Sequence, residues 1–165
     1  SAMIIDAMDI LYSGRVEGFC IVSSDSDFTR LATRLREAGM KVIGIGEKKT
    51  PNPFITACDK FIYIEILAAE ESSSARGRKP SKEDQPMDKR VAKLIVTSIN
   101  DVADESGWAF LGEVGTLILK KQPNFDPRNY GFKKLLHLMK NIENIEIDER
   151  QSESGRNRHV YVRVK

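Results

Sequence analysis

Two carboxylates one residue apart, Asp25 and Asp27, stand at the end of EGFCIVSSDSDF, after an apolar run (Phe19, Cys20, Ile21, Val22) and two serines. They are hard oxygen donors of the kind Mg²⁺ and Mn²⁺ prefer. A strand followed by an acidic turn and a helix puts such acids at the carboxyl end of a sheet strand, where α/β folds place ligands. Held there, carboxylates can fix a cation that activates water against a phosphodiester. The same residues also have an architectural use, because Ser26 or Asp27 can cap the helix that follows. One acid can serve both purposes, and the motif alone leaves the two readings open.

The surrounding elements follow from periodicity. Ser1 to Tyr12 is predicted as a helix with Ile4, Met8, Leu11 and Tyr12 on one face, and it opens without a cap or a preceding strand. Glu17 to Ser24 is a first strand. Asp27 to Ala38 is a helix with Phe28, Leu31, Ala32 and Leu35 on its stripe, closed by Gly39. Lys41 to Gly46 and Lys60 to Ile66 are further strands, separated by the polar loop EKKTPNP and one helical turn, Phe54 to Cys58. Short connections of this kind imply a parallel sheet with right-handed crossovers. Lys48 and Lys49 fall at the same sheet edge as Asp25, either to touch phosphate or simply as solvated loop charges. Gly44 and Gly46 do not form a phosphate loop, since no helix follows at the needed spacing.

Residues 70–87, EESSSARGRKPSKEDQPM, lack aromatic and branched aliphatic side chains and read as a flexible linker. The expected organisation is therefore a first domain over 1–67, a linker over 68–87 and a second domain over 88–165. The first part carries 8 Lys and Arg against 9 Asp and Glu, and the last carries 14 against 11, so the mild basic excess belongs to the C-terminal domain. No apolar run is long enough to span a bilayer and no signal peptide is visible. Cys20 and Cys58 lack metal-ligand spacing and read as core thiols of a cytoplasmic protein.

In the second domain, Asp88 caps a helix to about Glu105 with Val91, Leu94, Ile95, Ile99 and Val102 inward. A second helix spans Phe110 to Lys121. A third opens at Pro127, with Tyr130, Phe132, Leu135, Leu136, Met139 and Ile142 on its apolar face and Lys133, His137 and Lys140 opposite. Ile145 and Ile147, then Val160, Val162 and Val164, alternate as two strands around the polar loop Asp148 to Asn157. Three helices and a β-hairpin make an α+β winged helix-turn-helix plan. Trp108 and Phe110 border the second helix and read as core rather than as a base-stacking platform.

The stretch EGFCIVSSDSDFTRLATRLREAGMKVIGIGEKKTP resembles the second half of an NYN domain of the LabA-like type, within the PIN-like nuclease superfamily. The hydroxyl, acid, acid, Phe, helical stripe and closing Gly recur in order, and SAMIIDAMDILYSG resembles the preceding helix. The resemblance implies an α/β fold with a partial parallel three-layer PIN-like sheet. It also implies an endoribonuclease-like centre dependent on Mg²⁺ or Mn²⁺, with Asp25 and Asp27 as catalytic metal or water ligands and Asp6 as a third metal ligand. The family's first strand, with its leading Asp, is not in this sequence. The acidic cluster is then incomplete, and the chain as given is expected to be inactive. An exposed half-sheet of this kind is expected to pair as a homodimer or to be covered by a segment upstream.

Residues 91–165, and FDPRNYGFKKLLHLM most of all, resemble the OST-HTH or LOTUS domain. That resemblance implies a partner in RNA, in part G-rich RNA. The candidate contacts are Arg128, Lys133, Lys134 and Lys140 on the third helix and Arg156 and Arg158 on the wing. The alternative is a non-catalytic scaffold that binds RNA or protein, in which the acidic motif is structural.

Overall fold

The computed structural model describes residues 1–76, 88–151 and 158–165. They form two compact units. Among the described residues, no helix is long and apolar enough to cross a membrane.

The N-terminal unit runs α1 (Ala2–Ser13), β1 (Gly18–Val22), a 3₁₀ turn (Ser26–Phe28), α2 (Thr29–Glu37), β2 (Lys41–Gly46), α3 (Asn52–Ala57), β3 (Lys60–Tyr63) and α4 (Ile64–Arg76). The three strands are parallel in the order β1-β2-β3. Phe19, Ile21, Val42, Gly44 and Phe61 share register rows on the packed face, against Leu31, Leu35, Phe54 and Cys58. The other face is open over β1, where Cys20 and Val22 are exposed, Val22 to 63%. On α1, Ala7 is buried while Ile5 (65%) and Tyr12 (75%) face solvent. Cys20 is therefore not the core thiol expected from its apolar neighbours, because it lies on the uncovered side of an edge strand.

The third strand is shorter than predicted. It ends at Tyr63, and Ile64 begins a helix that continues to Arg76. The expected linker thus starts as helix, and its remainder, 77–87, lies outside the described residues. IEILAAEE is rich in good helix formers, and that outweighs the strand-like alternation that precedes it.

The C-terminal unit runs α5 (Lys89–Val102), β4 (Ala109–Phe110), α6 (Leu111–Lys121), a 3₁₀ turn (Pro127–Tyr130), α7 (Leu135–Met139), β5 (Ile145–Gln151) and β6 (Arg158–Val164). Asp88 caps α5 by accepting from the Arg90 N–H at 3.0 Å. The sheet is antiparallel in the order β4-β6-β5, so β6 is its middle strand. Val162 with Ala109 and Ile145 point inward to Ile95, Ile99, Val114, Ile118 and Leu138, all buried.

The third helix predicted from Pro127 to Ile142 does not exist as one element. Asp126 and Pro127 start it as foreseen, but only as a 3₁₀ turn. Gly131 then takes φ 80°, and its N–H donates to the Arg128 carbonyl at 3.2 Å. A left-handed glycine of this kind terminates helices. Helix resumes only at Leu135, so Lys133 lies on the connection and Lys134 at the α7 N-cap. The strand β4 was not foreseen, since two residues are too short to show alternation.

Burial pushes the Cys58 thiol up to about 11, and the side chain is fully enclosed. Iodoacetamide at pH 8 should therefore modify Cys20 and leave Cys58 untouched in the folded chain, as read by peptide mass mapping. Equal labelling would contradict this packing.

Candidate functional site

The acidic turn is wired from both ends. β1 closes with the Ser23 N–H donating to the Ile45 carbonyl at 2.9 Å. Ser23 Oγ then accepts from the Asp25 N–H at 3.1 Å, and Asp25 Oδ1 accepts from the Asp27 N–H at 2.9 Å. Asp25 is thus the N-cap of the 3₁₀ turn, the role the sequence reading had offered to Ser26 or Asp27. Ser24 Oγ accepts from the Glu47 N–H at 2.9 Å, which ties the loop after β2 to the same turn. Gly46 is required beside it, because a Cβ there would sit 2.5 Å from the Ser23 carbonyl oxygen.

Asp25, Asp27 and Asp6 are all exposed. Among the described residues, no three His, Cys, Asp or Glu side chains stand together in a way that could hold a metal ion. A hard dication needs about six oxygen ligands, several of them from the protein or substrate. Mg²⁺ is held by one or two carboxylates together with waters and substrate phosphates, so Asp25 and Asp27 supply only part of such a set, and among the described residues Asp6 does not join them. Of the nearby lysines, Lys49 is paired through its ammonium group and Lys48 is held through its backbone amide. Lys49 Nζ lies 2.6 Å from Glu47, and the Lys48 N–H donates to Glu65 at 3.0 Å. The Glu47 carboxylate raises the Lys49 pKa, and the Lys48 N–H lowers that of Glu65.

The predicted RNA contacts of the C-terminal unit are not brought together as one row. The Arg128 guanidinium forks onto the buried Asp126 carboxylate, at 3.0 Å from Nε and 2.8 Å from Nη2. This geometry closes the turn that Asp126 caps and occupies Arg128 structurally. Lys133 and Lys134 are exposed, and so is His137. Lys140 and Arg158 approach the same carboxylate, Glu149, at 3.5 and 3.7 Å. Arg156 lies outside the described residues.

A second cluster was missed from the sequence. β6 reads RHVYVRV, and its middle position in the sheet turns Val160, Val162 and Val164 to one side and His159, Tyr161 and Arg163 to the other. The outward side gathers planar groups from all three strands. Arg163 lies over Trp108 at 4.6 Å, and Arg150 lies over Trp108 at 5.7 Å and over Tyr161 at 4.4 Å. Phe110 stands 5.8 Å from Tyr161 and 5.9 Å from His159. Trp108 and Phe110 are therefore not core, contrary to the expectation. Phe110 is 36% exposed, and Trp108 is half-buried beneath guanidinium groups. The signal was present in the odd positions of β6, all aromatic or basic, but the valines drew the reading inward.

Asp104 holds the Trp108 turn. Its carboxylate accepts from the Ser106 hydroxyl at 2.5 Å, the Ser106 N–H at 2.8 Å and the Trp108 N–H at 3.1 Å. The Ser106 hydroxyl, more than the amides, keeps its pKa below the usual aspartate value.

Residues 1–65 match the family model of the NYN domain, and residues 84–156 match that of the OST-HTH/LOTUS domain. Two structures determined by solution NMR are similar. An uncharacterized protein of Nitrosomonas europaea is 31% identical over 53% of this chain and 91% of its own, with a TM-score of 0.41. A protein of Chromobacterium violaceum is 32% identical over 52% of this chain and 87% of its own, with a TM-score of 0.37. No curated protein matches the chain.

Asp25→Ala should cost about 0.5–2 kcal/mol in denaturant unfolding, whereas Asp25→Asn, which keeps an acceptor at the cap, should cost a few tenths. For Asp104 the folded pKa is depressed, so its contribution is present above the unfolded pKa and lost as pH falls through the folded one. Fluorescence of Trp108, the chain's single tryptophan, should show an acid transition below the ordinary aspartate range, and Asp104→Ala should abolish it.

Proposed function

From a chain that joins an NYN domain to an OST-HTH/LOTUS domain, we propose an RNA-binding protein whose NYN unit, with the residues present here, does not cleave RNA by itself. The observation that carries this reading is the contrast between the two units. The acidic turn is closed as a cap and, among the described residues, no three metal-binding side chains stand together, while the C-terminal unit keeps Lys133, Lys134 and Lys140 exposed.

The LOTUS unit contacts RNA through Lys133 and Lys134, with Lys140, Arg158 and Arg156 as further phosphate contacts. Lys140 and Arg158 must share Glu149 with the ligand, and Arg128 acts by shaping the turn. The preference implied by family resemblance is for G-rich RNA, and the NYN unit is of the LabA-like type. A parent centre of this family would use Mg²⁺ or Mn²⁺ to supply activated water. Among the described residues no third acid joins Asp25 and Asp27, and the Asp25 carboxylate holds the turn. Exposed Val22 on an edge strand, with Ile5 and Tyr12 exposed on α1, supports pairing of the N-terminal unit with a second copy; a cytoplasmic location is part of the same proposal.

Salt-dependent binding tests the reading. Affinity for single-stranded RNA should fall with rising salt, and Lys133→Ala with Lys134→Ala should reduce the slope of log K against log salt by about 0.7 per lysine. An unchanged slope would remove these lysines from the interface. Incubation of labelled RNA with the chain and Mn²⁺ should leave it intact, and cleavage that Asp25→Asn abolishes would overturn the non-catalytic reading.

A further inference from the structure

On the outer face of the β4-β6-β5 sheet, each planar group touches the next in a single run. Arg163 covers Trp108, Arg150 bridges Trp108 and Tyr161, and Phe110 links Tyr161 to His159. The run begins under guanidinium cover and ends in the open, at Phe110 and the exposed His159. We propose that this open end is a stacking site for an unpaired nucleobase of single-stranded RNA, with Phe110 and His159 as the rings it meets. The inference rests on the RNA-binding reading above and adds a base-contacting site that is separate from the lysines.

Charge and geometry both favour a base as the occupant. Arg150 pairs with Asp148 at 2.7 Å, Arg163 with Glu146 at 2.6 Å and Arg158 lies 3.7 Å from Glu149. On this face Arg150 and Arg163 are each matched by an anion, so the face offers no charge surplus to attract phosphate. What it does offer is π surface, since carboxylates engage guanidinium edges and leave their planes against rings. Bases splayed from single strands bind by stacking on aromatic and guanidinium planes, largely without regard to sequence.

Phe110 is also pre-positioned. It is the last residue of β4 and opens onto α6, where a Cβ at Gly112 would lie 2.7 Å from Phe110 Cε1. The missing side chain at position 112 leaves the ring room to lie in this orientation.

The test compares two probes on the full chain by fluorescence anisotropy: a labelled twelve-residue oligoadenylate and an abasic strand of the same length. Removing the ring with Phe110→Ala should weaken oligoadenylate binding about tenfold to a hundredfold, with abasic binding and the salt slope unchanged. Phe110→Tyr should restore affinity. Oligoadenylate binding that ignores both Phe110→Ala and His159→Ala overturns this site while leaving RNA binding intact. Equal loss for both probes also overturns it, because the defect would then be structural. No binding of either probe by the unsubstituted chain overturns the RNA reading itself.

Discussion

Each unit is built on a three-stranded sheet, and the strand in its middle has neighbours on both edges and side chains on both faces. In β2 that position puts Val42, Gly44 and Gly46 against the core, and Gly46 against the Ser23 carbonyl. In β6 it turns Val162 inward and Tyr161 outward, between Phe110 of β4 and Asp148 of β5. A shift of one residue in either strand would exchange the faces. The acidic turn follows from the register of β1 on β2, and the stacked run follows from the register of β6 on both neighbours.

The two units use this constraint toward different ends. In the N-terminal unit the sheet's carboxyl edge carries a serine and aspartate turn whose hydrogen bonds are mostly internal. Ser23, Asp25 and Ser24 each accept a backbone N–H, so the motif's polar atoms stabilise the chain's own conformation. A carboxylate engaged in this way can still face a ligand. Chemistry would require partners that the described residues do not bring. On the outer face of the C-terminal sheet the guanidinium groups are paired, and that face presents rings.

How much of this was legible in the sequence depended on the strength of local signals. Val42 and Ile45 on either side of Gly44 marked β2 to the residue, and Asp88 marked the start of α5 by its capping chemistry. The match of residues 1–65 and 84–156 to the two families agrees with motifs readable in SSDSDF and FDPRNYGFKKLLHLM. Gly131 was in plain view as a helix terminator, but the apolar period running through it suggested one continuous helix. A continuous helix would put Lys133 on a helix face, whereas it lies on a connection. Arg128 looked like a phosphate ligand because sequence does not show that Asp126, two residues before, folds back onto its guanidinium. Trp108 and Phe110 looked like core because large aromatics usually are, and only the register of β4 on β6 shows their side of the sheet.

The central claim is that RNA is held by the C-terminal unit while the acidic turn of the N-terminal unit has a structural part. Photo-crosslinking the full chain to an oligoribonucleotide carrying 4-thiouridine, followed by peptide mapping, tests it most directly. Adducts are expected within residues 88–165, at the lysines around α7 and the outer face of β6. Adducts confined to the turn at Ser23 to Phe28 would contradict it.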